Sequence, residues 1–411
     1  MPTSIITRGS GVSVAGRQSR GLSPAFSRAS AAYQSDGRKV GVGVPRFSEG
    51  RTGKAIFVEE GTTNLCQNGG AELGATWWGA YNNGWSVEAE AVRWGNKAFR
   101  CNKGYYGGLQ SPKVAFDCTK AISVSFDLCR IVGEAWWHIL FYNNEGVQVG
   151  QRGNRQIPTG LHGAWEHMVI ALLPSDIAET ATQTVVRLLR RGVETTIDDV
   201  VYDNILCEQK PYATSFTDST RAADRLTIPT TITSAGSWAI EAWARTNITA
   251  GFERTLFEAA GVFAVGLGAD NKPTLTWTSA EGPQTVSGAQ TVTNPTGDHH
   301  WAYTYDGAIA RVYVDGATVI EAATEFAGAM PAEIVIGTAE GRYWNGYIED
   351  LVIAKHAYSG SDIASHMAGD TPSDCYYYPF DGNLWPAPGS LGAVVAPSII
   401  TRPGKLEVIG R

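Results

Sequence analysis

Along residues 301–316, WAYTYDGAIARVYVDG, apolar and polar positions alternate with a period of two. Trp301, Tyr303 and Tyr305 fall on one side of a strand, Asp306-Gly307 turns the chain, and Ile309 to Val314 runs back toward a second Asp-Gly at Asp315-Gly316. Aromatic and β-branched residues suit a pleated, half-buried surface, and Asp-Gly tolerates the positive φ of a two-residue primed turn, so the segment predicts a β-hairpin. Ser237 to Arg245 predicts another strand with Trp238, Ile240 and Ala242 on one face, and Glu333 to Gly337 and Trp344 to Ile353 predict two more. Ala55 to Glu59 reads as a strand, as does Thr182 to Leu189, although 175–191 as a whole resembles an amphipathic helix. One short helix is predicted near the end, capped by Ser359 or Ser361, with Ile363 and Met367 on one face and Gly369 terminating it.

Composition narrows the class. A chain of 411 residues holds two or three domains, each able to bury a core. Only 18% of residues are charged and 47 are glycine, a balance that favours short strands joined by glycine-rich turns. The expected fold is all-β, with two antiparallel β-sandwich (jelly-roll) domains, an extended N-terminal arm and a C-terminal tail. The net charge of −7 and the lack of a basic domain argue against nucleic acid as a partner. The first 25 residues carry Arg8, Arg17 and Arg20 and no acid, which suits an acidic protein surface. No apolar run reaches the length of a membrane span, and MPTSIITRGSG lacks the apolar core of a signal peptide, so synthesis in a cytosol is expected. The six cysteines, without a Cys-x-x-Cys pair, are then expected to be buried free thiols. Residues 1–62 read as largely disordered apart from the strand at 55–59. The string Ser-Ile-Ile-Thr-Arg occurs at Ser4–Arg8 and again at Ser398–Arg402. Either both ends present one strand to equivalent grooves, or two β-prone tails coincide.

Three groups of residues carry family resemblances. Ile240 to Trp243, the W-x-Y-x-Y-D-G run, Tyr313 to Gly316, Ile336-Gly337 and Asn345 to Leu351 resemble the laminin-G/concanavalin-A-like lectin sandwich over 235–370. Asn64-Leu65, Asn68-Gly69 and Ile197 to Val200 resemble the frame of carbohydrate-binding jelly rolls over 63–216. Ile205 to Asp224, ending Thr-Arg-Ala-Ala-Asp, resembles a linker of tailed-phage structural and tail proteins, and Phe26 to Val58 resembles the arm that precedes such modules. The resemblance implies an attachment arm at 1–62, a linker at 217–234, a C-terminal extension at 371–411, and a place in the virion as a tail, fibre or head-surface protein. It implies other virion proteins as partners through 1–62, and a homo-oligomer.

The candidate chemistry points to binding. Glycosidases on such sandwiches need two carboxylates on one face, about 5 to 9 Å apart. Glu349 and Asp350 are adjacent, as are Asp198 and Asp199, so each pair points to opposite sides of a strand. Glu88 and Glu90 have the right spacing but read as a solvated edge. His299, His300, His162 and His167 read as structural or surface residues, and no nucleophile elbow, zinc motif or phosphate loop is present, so no enzyme is expected. Sugars stack on exposed Trp and Tyr and bond to Asn, Asp, Gln or Arg. Trp77, Trp78, Tyr81, Asn82, Asn83 and Trp85 supply that mixture, and Trp136-Trp137 and Tyr343-Trp344 pose the same choice between sugar contact and subunit contact. The jelly-roll resemblance also implies a structural calcium, with Glu72 and Asp199 as candidates. Host-surface glycan adhesion is the expected function. The alternatives are a capsid decoration protein without a ligand, and a lectin or polysaccharide depolymerase.

Overall fold

The computed structural model describes residues 24–384 except 35–37, 52, 83, 103–105, 158–161, 192–198, 340, 371, 373 and 383, together with 398–402 and 405–409. The basic positions of 1–23, the first Ser-Ile-Ile-Thr-Arg string, Asn83, Ile197 and Asp198 lie outside these residues. The second string, Ser398–Arg402, pairs antiparallel with Lys405–Ile409.

The molecule is all-β, built as two antiparallel sandwiches. In the first, Trp165–Leu172, Ile122–Val132, Asp199–Glu208, Ala98–Cys101 and Trp85–Glu88 form one sheet in that order. Gln148–Gln156, Ala135–Tyr142, Gln183–Arg191, Tyr106–Gln110 and Gly79–Tyr81 form the facing sheet. The stretch that mimics a helix is thus a strand, because alternation puts Val186 and Leu188 into the core.

The second sandwich carries the hairpin. Trp238, Ile240 and Ala242 lie opposite Tyr305, Tyr303 and Trp301, and all six are buried. Trp238 stacks on Phe263 at 5.2 Å and meets Tyr303 edge-on at 5.0 Å. The second Asp-Gly forms a primed turn, with φ of 51° at Asp315 and 77° at Gly316 between the paired Val314 and Ala317. The first turn is shifted by one residue from expectation. Asp306 sits at the corner, its Oδ1 accepts from the N–H groups of Ala308 and Ile309, and Gly307-Ala308 make the turn. The helix, Gly360–Met367, has Ser359 as its N-cap in a reciprocal bond with Asp362 and buries Ile363 on the outer face of this sheet.

The N-terminal segment departs from the expected arm. Ala25–Ser27 pairs with Arg225–Pro229 at the edge of one sheet of the second sandwich, and Lys54–Val58 pairs with Gly346–Ala354 in the other. Thr62-Thr63 then pairs with Thr220-Arg221. Ala25–Ser27, Arg46–Glu49, Lys54–Val58 and Thr62–Thr63 are therefore sheet strands, and the segment expected as a linker carries Leu226 and Ile228 into the core. The jelly roll is inserted into the lectin-like sandwich. Asn64 closes the insertion, donating to the carbonyls of Ile205 and Thr217 and accepting from the N–H groups of Cys66 and Cys207.

A buried ionic cluster sits at this junction. Arg28 meets Asp224 at 3.0 Å, Arg46 meets both Asp224 and Glu59, and Arg221 meets Glu59 at 2.8 Å. All five side chains are no more than 2% exposed. Glu59 also accepts from the N–H of Ser215, and Glu208 accepts from Thr62 and Thr214. Burial alone would push Glu59 up, but the Arg221 and Arg46 guanidiniums outweigh it and hold the carboxyl below its usual range. All six cysteines are free, with Cys118 partly exposed and the other five buried.

Removing one partner from such a cluster strands a buried charge, at a cost of about 3–5 kcal/mol. Asp224→Asn is therefore expected to lower the urea midpoint sharply, and a loss below about 1 kcal/mol would contradict the clamp. His299 bonds Asp315 at 2.7 Å, and that bond, opposed by burial, raises the imidazole above its usual 6.5. The contribution is full below the unfolded value and fades as pH rises through the raised one. Unfolding of His299→Gln across this range should lack that decline, and an identical pH profile would refute it.

Candidate functional site

The six-stranded sheet that contains Gln183–Arg191 has an outer face turned away from the jelly-roll core. Side chains directly opposite on neighbouring strands share a face, so the register assembles this surface from four strands. One row runs Trp136, Leu189, Gly108, Tyr81. The next runs His138, Arg187, Gln110, Gly79. Trp136 and Tyr81 are three strand spacings apart, roughly 14 Å.

The floor between the two rings is apolar and low. Leu189, Val185 and Leu140 are buried although they belong to the outer face, and Gly108 adds no side chain. Gly108 is required there, because a Cβ would lie 2.1 Å from the carbonyl oxygen of Leu188. The polar row is preorganised. The Arg187 guanidinium lies 4.3 Å from the centre of the Tyr81 ring and its Nε donates to Gln110 Oε1 at 2.9 Å. Trp136 Nε1 donates to Glu134 at 3.1 Å, and Lys113 lies over Tyr142 at 4.1 Å on the same surface. Gln148 and Gln151 of the edge strand add exposed amides. Two half-buried rings above an apolar floor, bordered by Arg, Gln and amide groups, match the flat apolar faces and equatorial hydroxyls of a saccharide.

The residues expected to bind sugar are dispersed by the fold. Tyr81 joins the outer face. Trp78 does not: it is 5% exposed in the jelly-roll core, its Nε1 donating to the carbonyls of Gln67 and Asn68. Trp85 faces the same core and packs edge-on against Phe99 at 5.7 Å, because its register partner Cys101 is a core residue. Trp77 is half-buried at a φ of 81° and packs against Trp78, while Asn82 is exposed in a turn at a φ of 53°. Trp344 is 1% exposed, edge-on to Trp301 and bonded to the Arg245 carbonyl, which leaves only Tyr343 of that pair half-exposed. Trp136 was already a candidate as half of the Trp136-Trp137 pair; Arg187 is the residue that a search for aromatic clusters passes over, since its neighbours lie on other strands.

The carboxylates are held by protein partners. Asp199 forms a two-pronged bond with Arg100, and Glu88 meets the same guanidinium at 2.7 Å. Glu72 accepts from the N–H groups of Asn96 and Lys97, so the two calcium candidates belong to different local networks. Among the described residues no three His, Cys, Asp or Glu side chains converge as metal ligands. Glu349 is buried and accepts from the N–H of Arg51, and Asp350, at a φ of 52°, accepts from Tyr377. No helix among the described residues is long and apolar enough to cross a membrane.

Residues 219–364 match the model of the concanavalin A-like lectin/glucanases superfamily. Solved structures with similar parts include the enzymatically active domain of tailspike protein 4 of bacteriophage CBA120, 11% identical with a TM-score of 0.30. That match covers 35% of this chain and only 21% of the tailspike chain. A family 16 carbohydrate-binding module is 19% identical with a TM-score of 0.29, covering 35% of this chain and 99% of the module. The tandem domain, CBM22-1 followed by CBM22-2, of a Paenibacillus barcinonensis protein is 8% identical with a TM-score of 0.27, covering 73% of this chain and 99% of its own. No curated protein matches the sequence.

The burial difference is measurable as stability. Trp344→Ala should cost about 3–5 kcal/mol in chemical unfolding, as a core aromatic does, and Tyr81→Ala less than about 1 kcal/mol. Equal costs would mean that Tyr81 belongs to the core.

Proposed function

We propose that the protein is a non-enzymatic structural protein of a phage particle that adheres to saccharides through the outer face of its jelly roll. The row Trp136, Leu189, Gly108, Tyr81, with Arg187 and Gln110 beside it, carries the saccharide reading. Its length suits several sugar units, and its shallow form suits the interior of a chain more than a chain end. The non-enzymatic reading is supported by the engagement of Glu88, Asp199, Glu349 and Asp350 with protein partners. The particle reading is supported by the phage-linker resemblance of Ile205 to Asp224, whose Glu208, Arg221 and Asp224 all lie in the buried junction. Other particle proteins and further copies of this chain are the proposed partners, with a host-surface glycan as ligand.

A glycan array followed by titration calorimetry on the full chain tests the site. Trp136→Ala should weaken saccharide binding at least tenfold, about 1.4 kcal/mol, with Tyr81→Ala acting in the same direction and the unfolding midpoints little changed. Binding unaffected by Trp136→Ala would move the site elsewhere. Assembly without any saccharide binding would favour a decoration protein, and release of reducing ends would overturn the non-enzymatic reading.

A further inference from the structure

A cleft of about 650 Å3 lies between the two sandwiches, within the size range of ligand pockets. It is lined on one side by the jelly-roll sheet opposite the face described above, and on the other by loops of the lectin-like sandwich. Val169 and Phe252, 47% and 37% exposed, both face this space.

Its polar groups are held in place one by one. Asp127, 4% exposed, accepts from Asn204 Nδ2 at 2.7 Å and bonds His167 Nδ1 at 2.9 Å. With Nδ1–H committed to that carboxylate, Nε2 of the neutral ring is an acceptor. It has no partner among the described residues. Asn204 reaches Asp127 from a β-bulge, at a φ of 52° that a side-chain-bearing residue seldom adopts. Asp203 accepts from the N–H groups of Arg93 and Trp94, which ties their loop to the rim of the cleft. Burial pushes the Asp203 carboxyl up to about 7 despite the N–H groups of Trp94, Asn204 and Arg93. Across the cleft Phe252 packs edge-on against Tyr212 at 5.5 Å, and Tyr212 is fixed by its bond to Glu60.

The only carboxylate on the lining, Asp127, is already engaged, whereas the exposed Arg93 guanidinium has no ion-pair or hydrogen-bond partner among the described residues. The charge left for a ligand is positive, in a cleft whose lining also offers an aromatic ring, Phe252, and an acceptor for a hydroxyl, His167. We propose that this cleft is a second saccharide site, built from residues other than those of the outer face, and that it takes an acidic sugar whose carboxylate pairs with Arg93. Phe252 stacks the ring, and His167 Nε2 accepts a hydroxyl proton.

Calorimetry on the full chain with a galacturonate trimer, its methyl ester and sialyllactose decides the matter. At least one acidic ligand should bind, and Arg93→Ala and Phe252→Ala should each weaken it tenfold or more. The methyl ester should bind at least tenfold less tightly than the galacturonate trimer if that is the ligand taken. Trp136→Ala should leave acidic-sugar binding intact, which separates this site from the outer face. Both side chains are exposed, so unfolding midpoints should stay near the parent value and certify the fold. The proposal is overturned if neither acidic ligand binds, if the ester binds as tightly as the acid, if Arg93→Ala binds like the parent, or if Trp136→Ala alone abolishes binding.

Discussion

The ion cluster of Arg28, Arg46, Glu59, Arg221 and Asp224 is the constraint on which the rest of the architecture rests. A guanidinium or carboxylate withdrawn from water costs several kcal/mol unless its partners are in place. These five partners come from chain positions 28 to 224, on both sides of the inserted jelly roll. The cluster closes only when the N-terminal strands have joined the lectin-like sandwich and the insertion has returned to its starting point. Buried pairs of this kind contribute little net stability, and their stronger effect is on specificity. Here they set one arrangement of the two sandwiches.

That arrangement gives the two jelly-roll sheets different surroundings. One carries half-buried Trp136 and Tyr81 on its outer face, on either side of an apolar floor. The other turns its outer face toward the lectin-like sandwich, across a cleft that the junction does not fill. Ser125, Asp127 and Asn204 on that second sheet are small or polar, as a wet interface requires. Each face is preorganised by bonds within it, Arg187 donating to Gln110 on one side and His167 to Asp127 on the other.

Much of the fold was legible in the sequence because strand formation depends on local alternation. The W-x-Y-x-Y run, the Asp-Gly at 315–316 and the Ser359 cap each act over a few residues, and each lies where the pattern puts it. Short motifs at 28, 46, 59 and 221–224 were also visible, but as separate strings. Their common meaning is electrostatic and appears only when residues nearly two hundred positions apart share one buried site. In the N-terminal segment the strand at 55–59 was legible but its place in a sheet was not, for the same reason. Lys54–Val58 is stabilised by a partner strand at 346–348, and nothing in its own neighbourhood announces that partner.

The sequence by itself determined the all-β class, the hairpins and the helix cap, since all of these follow from side-chain period and residue chemistry. Tertiary structure alone decided which aromatics face outward. Trp77, Trp78 and Trp85 read alike as sugar-contact candidates, but a turn at positive φ and the register of Trp85 with Cys101 send Trp78 and Trp85 inward. The outer-face row instead joins residues 81, 108, 136 and 189, which become neighbours only through strand pairing. A row of side chains across a sheet is a property of register, and register is set between strands, not along them.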